Sequence, residues 1–306
     1  MRTRAGFFMP EVFNKPPLTV DQQITLLESR KLIFLDKSLA RHYLQFISYY
    51  RLSGYAFNFE RKNDNGKRNH QFSNGTTFED ILNLYNFDRH LRLLVMDAIE
   101  KIEVAVRTQI CLSLSLTHND SHWYIRRELF SSTFNYNKFI ETCKHEFACS
   151  KEIFIQHYRA TYHTPELPPA WMMIELLTLG SWSILYENLI NRHDKKQISD
   201  AFHLSPVEMR SWLHCLTYIR NLCAHHARLW NRHFTIRPAI KPEYKKFLSP
   251  NHTFSAQAAM INIFLKQITL SNTWAVKLSQ LMTNNPFLKP ERMGFYPDWD
   301  QEDFWM

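Results

Sequence analysis

The sequence predicts a mainly α fold: a multi-helix bundle with an N-terminal helical subdomain and one small hairpin. Three observations predict it. The 306 residues hold only 6 glycines against 23 Phe, 13 Tyr and 8 Trp. That balance leaves little for a turn-dense β fold or for Gly-rich phosphate loops. Apolar residues recur at helical spacing over long stretches. Hydrophobic residues make up 45% of the chain and charged residues 22%, enough to bury a core with a solvated surface.

The elements follow in order. Residues 1–17 read as a flexible lead ending in Lys15-Pro16-Pro17. Thr19 is placed to cap a helix running to about Arg30. A second helix is expected from about Ser38 to Tyr50, with Leu39, Tyr43, Phe46, Ile47 and Tyr50 as its apolar stripe and Arg51–Tyr55 as its break. Asn63-Asp64-Asn65-Gly66 is a turn signal, fit to join short strands at 55–59 and 70–72. Thr77 with Asp80 opens a long helical region, one bent helix or two, ending near Leu116. One face of it carries Ile81, Leu84, Leu91, Val95, Ile99, Ile102 and Val106. The other carries Asp88, Arg89, Arg92, Asp97, Glu100, Lys101, Glu103 and Arg107. Further helices are expected at about 136–148, 151–160, 170–190, 194–202, 206–228, 255–270 and 272–283. The stretch 18–283 reads as one helical domain with 18–75 as a subdomain, and 284–306, with three prolines, as an irregular tail.

Composition bounds the setting. The net charge is +8 with histidine neutral, and a basic protein attracts polyanions, of which nucleic acid is the commonest. The five cysteines are an odd count without a C-x-x-C, which fits free thiols in a reducing compartment. The apolar run after Met1-Arg2-Thr3-Arg4 stops at Pro10, too short for a signal-peptide core. No stretch reaches the ~18 apolar residues of a membrane span. A cytoplasmic protein without a membrane partner is expected.

The most informative segment runs from Trp212 to Arg232. Projected at about 100° per residue, Trp212, Cys215, Leu216, Ile219, Leu222 and Cys223 share a core-facing side, with His226 near it. Asn221, His225 and Arg228 fall together on the far side, and Arg220 lies between. His226 is then a packed residue, while Asn221 stands one turn from His225 and is able to orient its imidazole.

His, Arg and Asn without a carboxylate dyad or metal cluster suit a substrate that brings its own nucleophile. RNA does, in its 2′-hydroxyl. Histidine near neutral pH takes that proton or protonates the leaving 5′-oxygen, and arginine steadies charge on the phosphoryl oxygens. Arg220 and His225 lie roughly 140° apart on an ideal helix. Either the helix distorts, or two copies meet across a two-fold axis and share the work. The second arrangement makes a monomer inactive.

Arg220-Asn221-x-x-x-His225 resembles the R-x(4–6)-H motif of the HEPN superfamily of ribonucleases. More narrowly, the chain is similar to the Abi family of bacterial abortive-infection proteins. The resemblance rests on Lys15-Pro16-Pro17-Leu18-Thr19, Tyr50-Arg51-Leu52-Ser53-Gly54-Tyr55, Tyr85-Asn86-Phe87-Asp88-Arg89 through Arg107, Arg220 to Arg232, and Met293-Gly294-Phe295 with Trp299. It implies a HEPN-like helical fold, a homodimer with a composite cleft, and metal-independent RNA cleavage leaving a 2′,3′-cyclic phosphate. It also implies a role in phage defence, as a toxin held by a protein antitoxin or a small RNA. Arg220, Asn221 and His225 match the motif as the catalytic set. Arg228, Asn231, Arg232, Arg89 and Arg92 are the residues expected to guide RNA. No cofactor and no metal is expected.

Two other functions stay open: an RNA-binding protein that uses the same surface to hold a partner small RNA without cutting it, and a DNA-binding regulator working through the N-terminal helices. Cys215, Cys223, His225 and His226 make a poor zinc set, because their spacing divides them between two faces. Glu103 and Arg107 read as a helix-surface pair that borders the cleft at most. Trp171, Ile174, Leu177 and Trp182 read as core. Arg126 and Arg127 fit a solvated face as well as a phosphate track.

Overall fold

The computed structural model describes residues 13–63 and 68–306. The first twelve residues of the expected lead, and Asp64-Asn65-Gly66 of the expected turn, lie outside the described residues. Among the described residues the chain forms thirteen α-helices and one two-stranded antiparallel hairpin. They divide into two compact units, the first ending at Asn86 and the second beginning at Phe87. No helix among the described residues is long and apolar enough to cross a membrane.

In the first unit α1 spans Val20–Ser29, α2 Lys37–Ile47 and α3 Tyr49–Ala56. Thr19 and Gln22 close a capping box on α1: the Thr19 N–H donates to Gln22 Oε1 at 2.8 Å, and the Gln22 N–H donates back to the Thr19 hydroxyl at 3.3 Å. The chain breaks at Ser48, earlier than the expected Arg51–Tyr55, which is helical. Ser48 has φ 73° and its hydroxyl accepts the Arg51 N–H, so one residue both stops α2 and starts α3. That break also moves the buried stripe. Ala40 and Leu44 are in the core of α2, while Phe46 and Tyr50 are exposed. The hairpin pairs β1, Glu60–Lys62, with β2, Arg68–Phe72, Glu60 facing Phe72. Its first strand lies beyond the expected 55–59, where α3 gives way to a short 3-10 turn at Phe57–Phe59.

α4, Phe78–His118, is one continuous helix about 60 Å long. Its start is fixed as the sequence suggests: the Thr77 N–H donates to Asp80 Oδ2 and the Asp80 N–H to the Thr77 hydroxyl. The second unit continues with α5 (Tyr136–Cys149), α6 (Ile153–Thr161), α7 (Ala170–Leu176), α8 (Leu179–Asn188), α9 (Arg192–Asp200) and α10 (Pro206–Ala224). It closes with α11 (Lys245–Leu248), α12 (Phe254–Ile268) and α13 (Trp274–Thr283). The helix expected at 170–190 is two, because Thr178 turns extended and caps α8 through its hydroxyl.

α12 is buried from Phe254 through Leu265, apolar nearly all round, which makes it the central helix of this unit. α10 packs on α8, close enough that a Cβ at Gly180 would stand 3.3 Å from Thr217 Cγ2. Trp123, Trp182 and Trp212 are fully buried, whereas Trp171, expected in the core, is exposed. Residues 284–306 hold short 3-10 turns and bury Met293, Phe295, Trp299 and Trp305.

Candidate active site

The helix that carries the motif is strongly specified at both ends. Ser205 and Glu208 form a capping box and Pro206 takes the first position, where its missing N–H costs nothing. Met209, Trp212, Leu213, Cys215, Leu216, Ile219 and Cys223 are buried, each contributing roughly 1.5–3 kcal/mol before chain entropy is charged. The helix ends at Ala224, not at 228 as expected. His226 adopts a left-handed conformation, φ 54°. The His226 N–H donates to the Cys223 carbonyl at 3.0 Å and the Ala227 N–H to the Leu222 carbonyl at 2.8 Å. This is the closure that usually takes glycine at the left-handed position. His226 is therefore exposed on a turn rather than packed, and Arg228 lies past the helix.

What holds the turn comes from α4. Asp88 is fully buried, and its Oδ1 accepts the N–H groups of Leu229 at 3.0 Å and Trp230 at 2.6 Å. Its other oxygen pairs with Arg92, buried to 5% exposure. The edge of the Phe87 or Trp230 ring meets the other's face at 5.8 Å. Arg92, expected to guide RNA, is thus turned inward and serves the turn after the motif. A buried guanidinium needs its carboxylate, since an unpaired one costs several kcal/mol.

Arg220 lines a concavity of about 500 Å³ whose other wall is α4, with Met96, Glu100, Glu103, Val104 and Arg107. Arg107 pairs with Glu103 and donates to the Leu177 carbonyl at 2.8 Å. That pair, read from the sequence as a surface feature, forms a largely buried part of the wall. Asn221 and His225 are exposed and stand outside this lining. The His225 N–H donates to the Asn221 carbonyl at 3.0 Å, which keeps the two one turn apart. Within one chain the arginine and the histidine face different spaces.

Two residues join the outer face that the sequence reading did not single out. His214 and Tyr218 precede Asn221 and His225 at helical spacing, so all four share one side of α10. The signal was the interval of four, three and four residues. The Thr235 hydroxyl donates to the Tyr218 hydroxyl at 3.4 Å, and Phe234 meets the Tyr218 ring edge to face at 6.3 Å. The extended segment after the turn is thereby tied to this face.

The other expected RNA contacts are spread. Arg89 is exposed on α4. Arg232 donates from Nε to the Arg228 carbonyl at 2.7 Å, and both are half-buried in the loop after the motif. Asn231 is exposed with φ 46°. Arg126 pairs with Glu128 at 2.8 Å, and Arg127 donates to the Phe130 carbonyl at 2.7 Å. Cys215 and Cys223 are buried, which pushes each thiol up to about 12 and keeps it protonated. Among the described residues, no three or more His, Cys, Asp or Glu side chains are grouped to hold a metal ion.

Residues 42–231 match the family model described as Abi-like protein. No curated protein and no solved structure matches the chain. The matched region takes in the hairpin, all of α4 through α10 and the turn held by Asp88. The chain belongs to the Abi-like protein family.

Proposed function

We propose that this chain is a metal-independent endoribonuclease of the HEPN type that acts as a toxin in abortive infection by phage. One observation carries the reading: Arg220 opens into a concavity walled by α4, while Asn221 and His225 stand together on an exposed face of the same helix. A site that uses both is assembled from two copies, one giving the arginine and its partner the histidine.

His225 takes the 2′-hydroxyl proton as the 2′-oxygen attacks phosphorus while solvent protonates the departing 5′-oxygen, or solvent takes the first proton and His225 supplies the second. The P–O5′ bond breaks, leaving a 2′,3′-cyclic phosphate and a 5′-hydroxyl. Arg220 holds the non-bridging oxygens as their charge grows. Asn221 orients the imidazole from one turn away. Arg89, Arg228, Asn231 and Arg232 supply positive and polar contacts to the strand, and a small RNA or protein antitoxin restrains the dimer in the cell.

Purified wild-type chain is expected to cut RNA in EDTA, and His225→Ala to bind the same RNA without cutting it. Wild-type protein that binds RNA and leaves it intact under both conditions would sink the enzyme reading in favour of an RNA-holding one.

A further inference from the structure

The segment after the motif turn carries a second group of side chains that cleavage does not use. The imidazoles of His233 and His252 stack with centroids 4.4 Å apart and planes 20° apart. Behind them the Phe234 N–H donates to the His252 carbonyl at 2.9 Å, so backbone holds the two rings in register. His252 is half-buried and His233 is exposed, so His233 is the outer ring of the stack. Burial lowers the proton affinity of His252, and His233 and Arg237 lower it further. A neutral imidazole stacks on its neighbour without the repulsion that two cations would bring. Arg237 is itself exposed, and near enough for its charge to act on His252.

A flat ring platform with a guanidinium beside it matches one chemical class well: an unpaired nucleobase with its phosphate. The base extends the stack, and the arginine takes the anion. Bases inside a duplex are already stacked on each other and do not reach such a platform. Tyr218 connects the platform to the motif, since its ring and hydroxyl meet Phe234 and Thr235, next to His233 in the chain. Tyr218 and His225 are about 10 Å apart along the helix axis, so the platform serves a base close to the bond that is cut.

We propose that His233, His252 and Arg237 form a subsite for an unpaired nucleobase of the RNA, which restricts the enzyme to single-stranded targets. This rests on the ribonuclease reading of the neighbouring motif. The backbone bond between Phe234 and His252 does not involve either imidazole, so side-chain replacements leave that clamp in place.

The test uses the full chain with His225→Ala to prevent cutting. Its probe is a single-stranded RNA oligonucleotide with one 2-aminopurine, moved position by position along the strand. At one position, fluorescence is expected to fall on binding. Adding His233→Ala and His252→Ala is expected to abolish that fall and weaken binding about tenfold or more. His233→Phe is expected to preserve the fall, because a flat ring remains. The same sequence as a duplex is expected to show no quench. Equal quenching and affinity with and without the two histidines overturns the subsite and leaves the ribonuclease reading standing. No binding by either protein also overturns the subsite, and wild-type cleavage assays then decide the ribonuclease reading on their own.

Discussion

Asp88 and Arg92 form a buried ion pair one turn apart on α4, and the same carboxylate holds the N–H groups of Leu229 and Trp230, 141 and 142 residues further along the chain. The exit of the motif helix is therefore fixed by a charge on another helix. The carboxylate accepts from a guanidinium and from two backbone N–H groups, so removing it takes an acceptor from all three in the core. Asp88→Ala is expected to destabilise the protein by about 3–5 kcal/mol, read as a fall in the denaturant midpoint. Asp88→Asn keeps part of the backbone acceptance and is expected to fall between. A midpoint unchanged in Asp88→Ala contradicts this role.

The two adjacent histidines separate cleanly. His225→Ala is expected to remove cleavage with folding intact. His226→Gly places the usual residue at a left-handed position, so stability should stay within about 1 kcal/mol of wild type and cleavage should persist. Loss of cleavage in His226→Gly with His225→Ala active would reverse the assignment.

Thiol reactivity reads burial directly. Cys149 is exposed, whereas Cys111, Cys143, Cys215 and Cys223 are buried. Burial pushes Cys143, Cys215 and Cys223 up to about 12, far from the thiolate that reacts. A thiol reagent at neutral pH is expected to modify one cysteine quickly in the native chain and all five in denaturant. Fast reaction of Cys223 in the native chain is incompatible with the closed turn above it.

Acid sensitivity has an identifiable contributor. Burial lowers the pKa of His122, against the opposing charge of Asp120. The unfolded imidazole takes a proton near pH 6.5, while the folded one resists it, so the unfolded state binds more protons as pH falls. The contribution is complete above pH 6.5 and is lost as pH drops toward the lowered folded value. Stability should decline as pH falls below about 6.5, and His122→Gln should flatten that decline. An identical pH dependence in the variant rules His122 out.

Helix starts were legible in the sequence because they are local: Thr19 and the Thr77–Asp80 pair sit within one turn of what they cap. The long period of α4 and the buried side of α10 were legible for the same reason. The end of α10 was not, because His226 takes a left-handed position that glycine usually marks, and its support comes from Asp88 far away in sequence. Arg92 read as an RNA guide and Asp88 as part of a charged helix face for want of that same long-range contact. Ser48 hid a helix break inside an apolar stripe, since a serine both stops and starts a helix there. The motif residues were legible by type and spacing, whereas the concavity beside Arg220 required α4 to be in place.

The central claim is that one chain lends the arginine and its partner the histidine. Mixing inactive Arg220→Ala with inactive His225→Ala tests it most directly. After subunit exchange, half the dimers carry one site with both residues intact, so about a quarter of wild-type cleavage should return. If both residues act from the same chain, every site in the mixture lacks one of them, and no recovery at any mixing ratio contradicts the shared site.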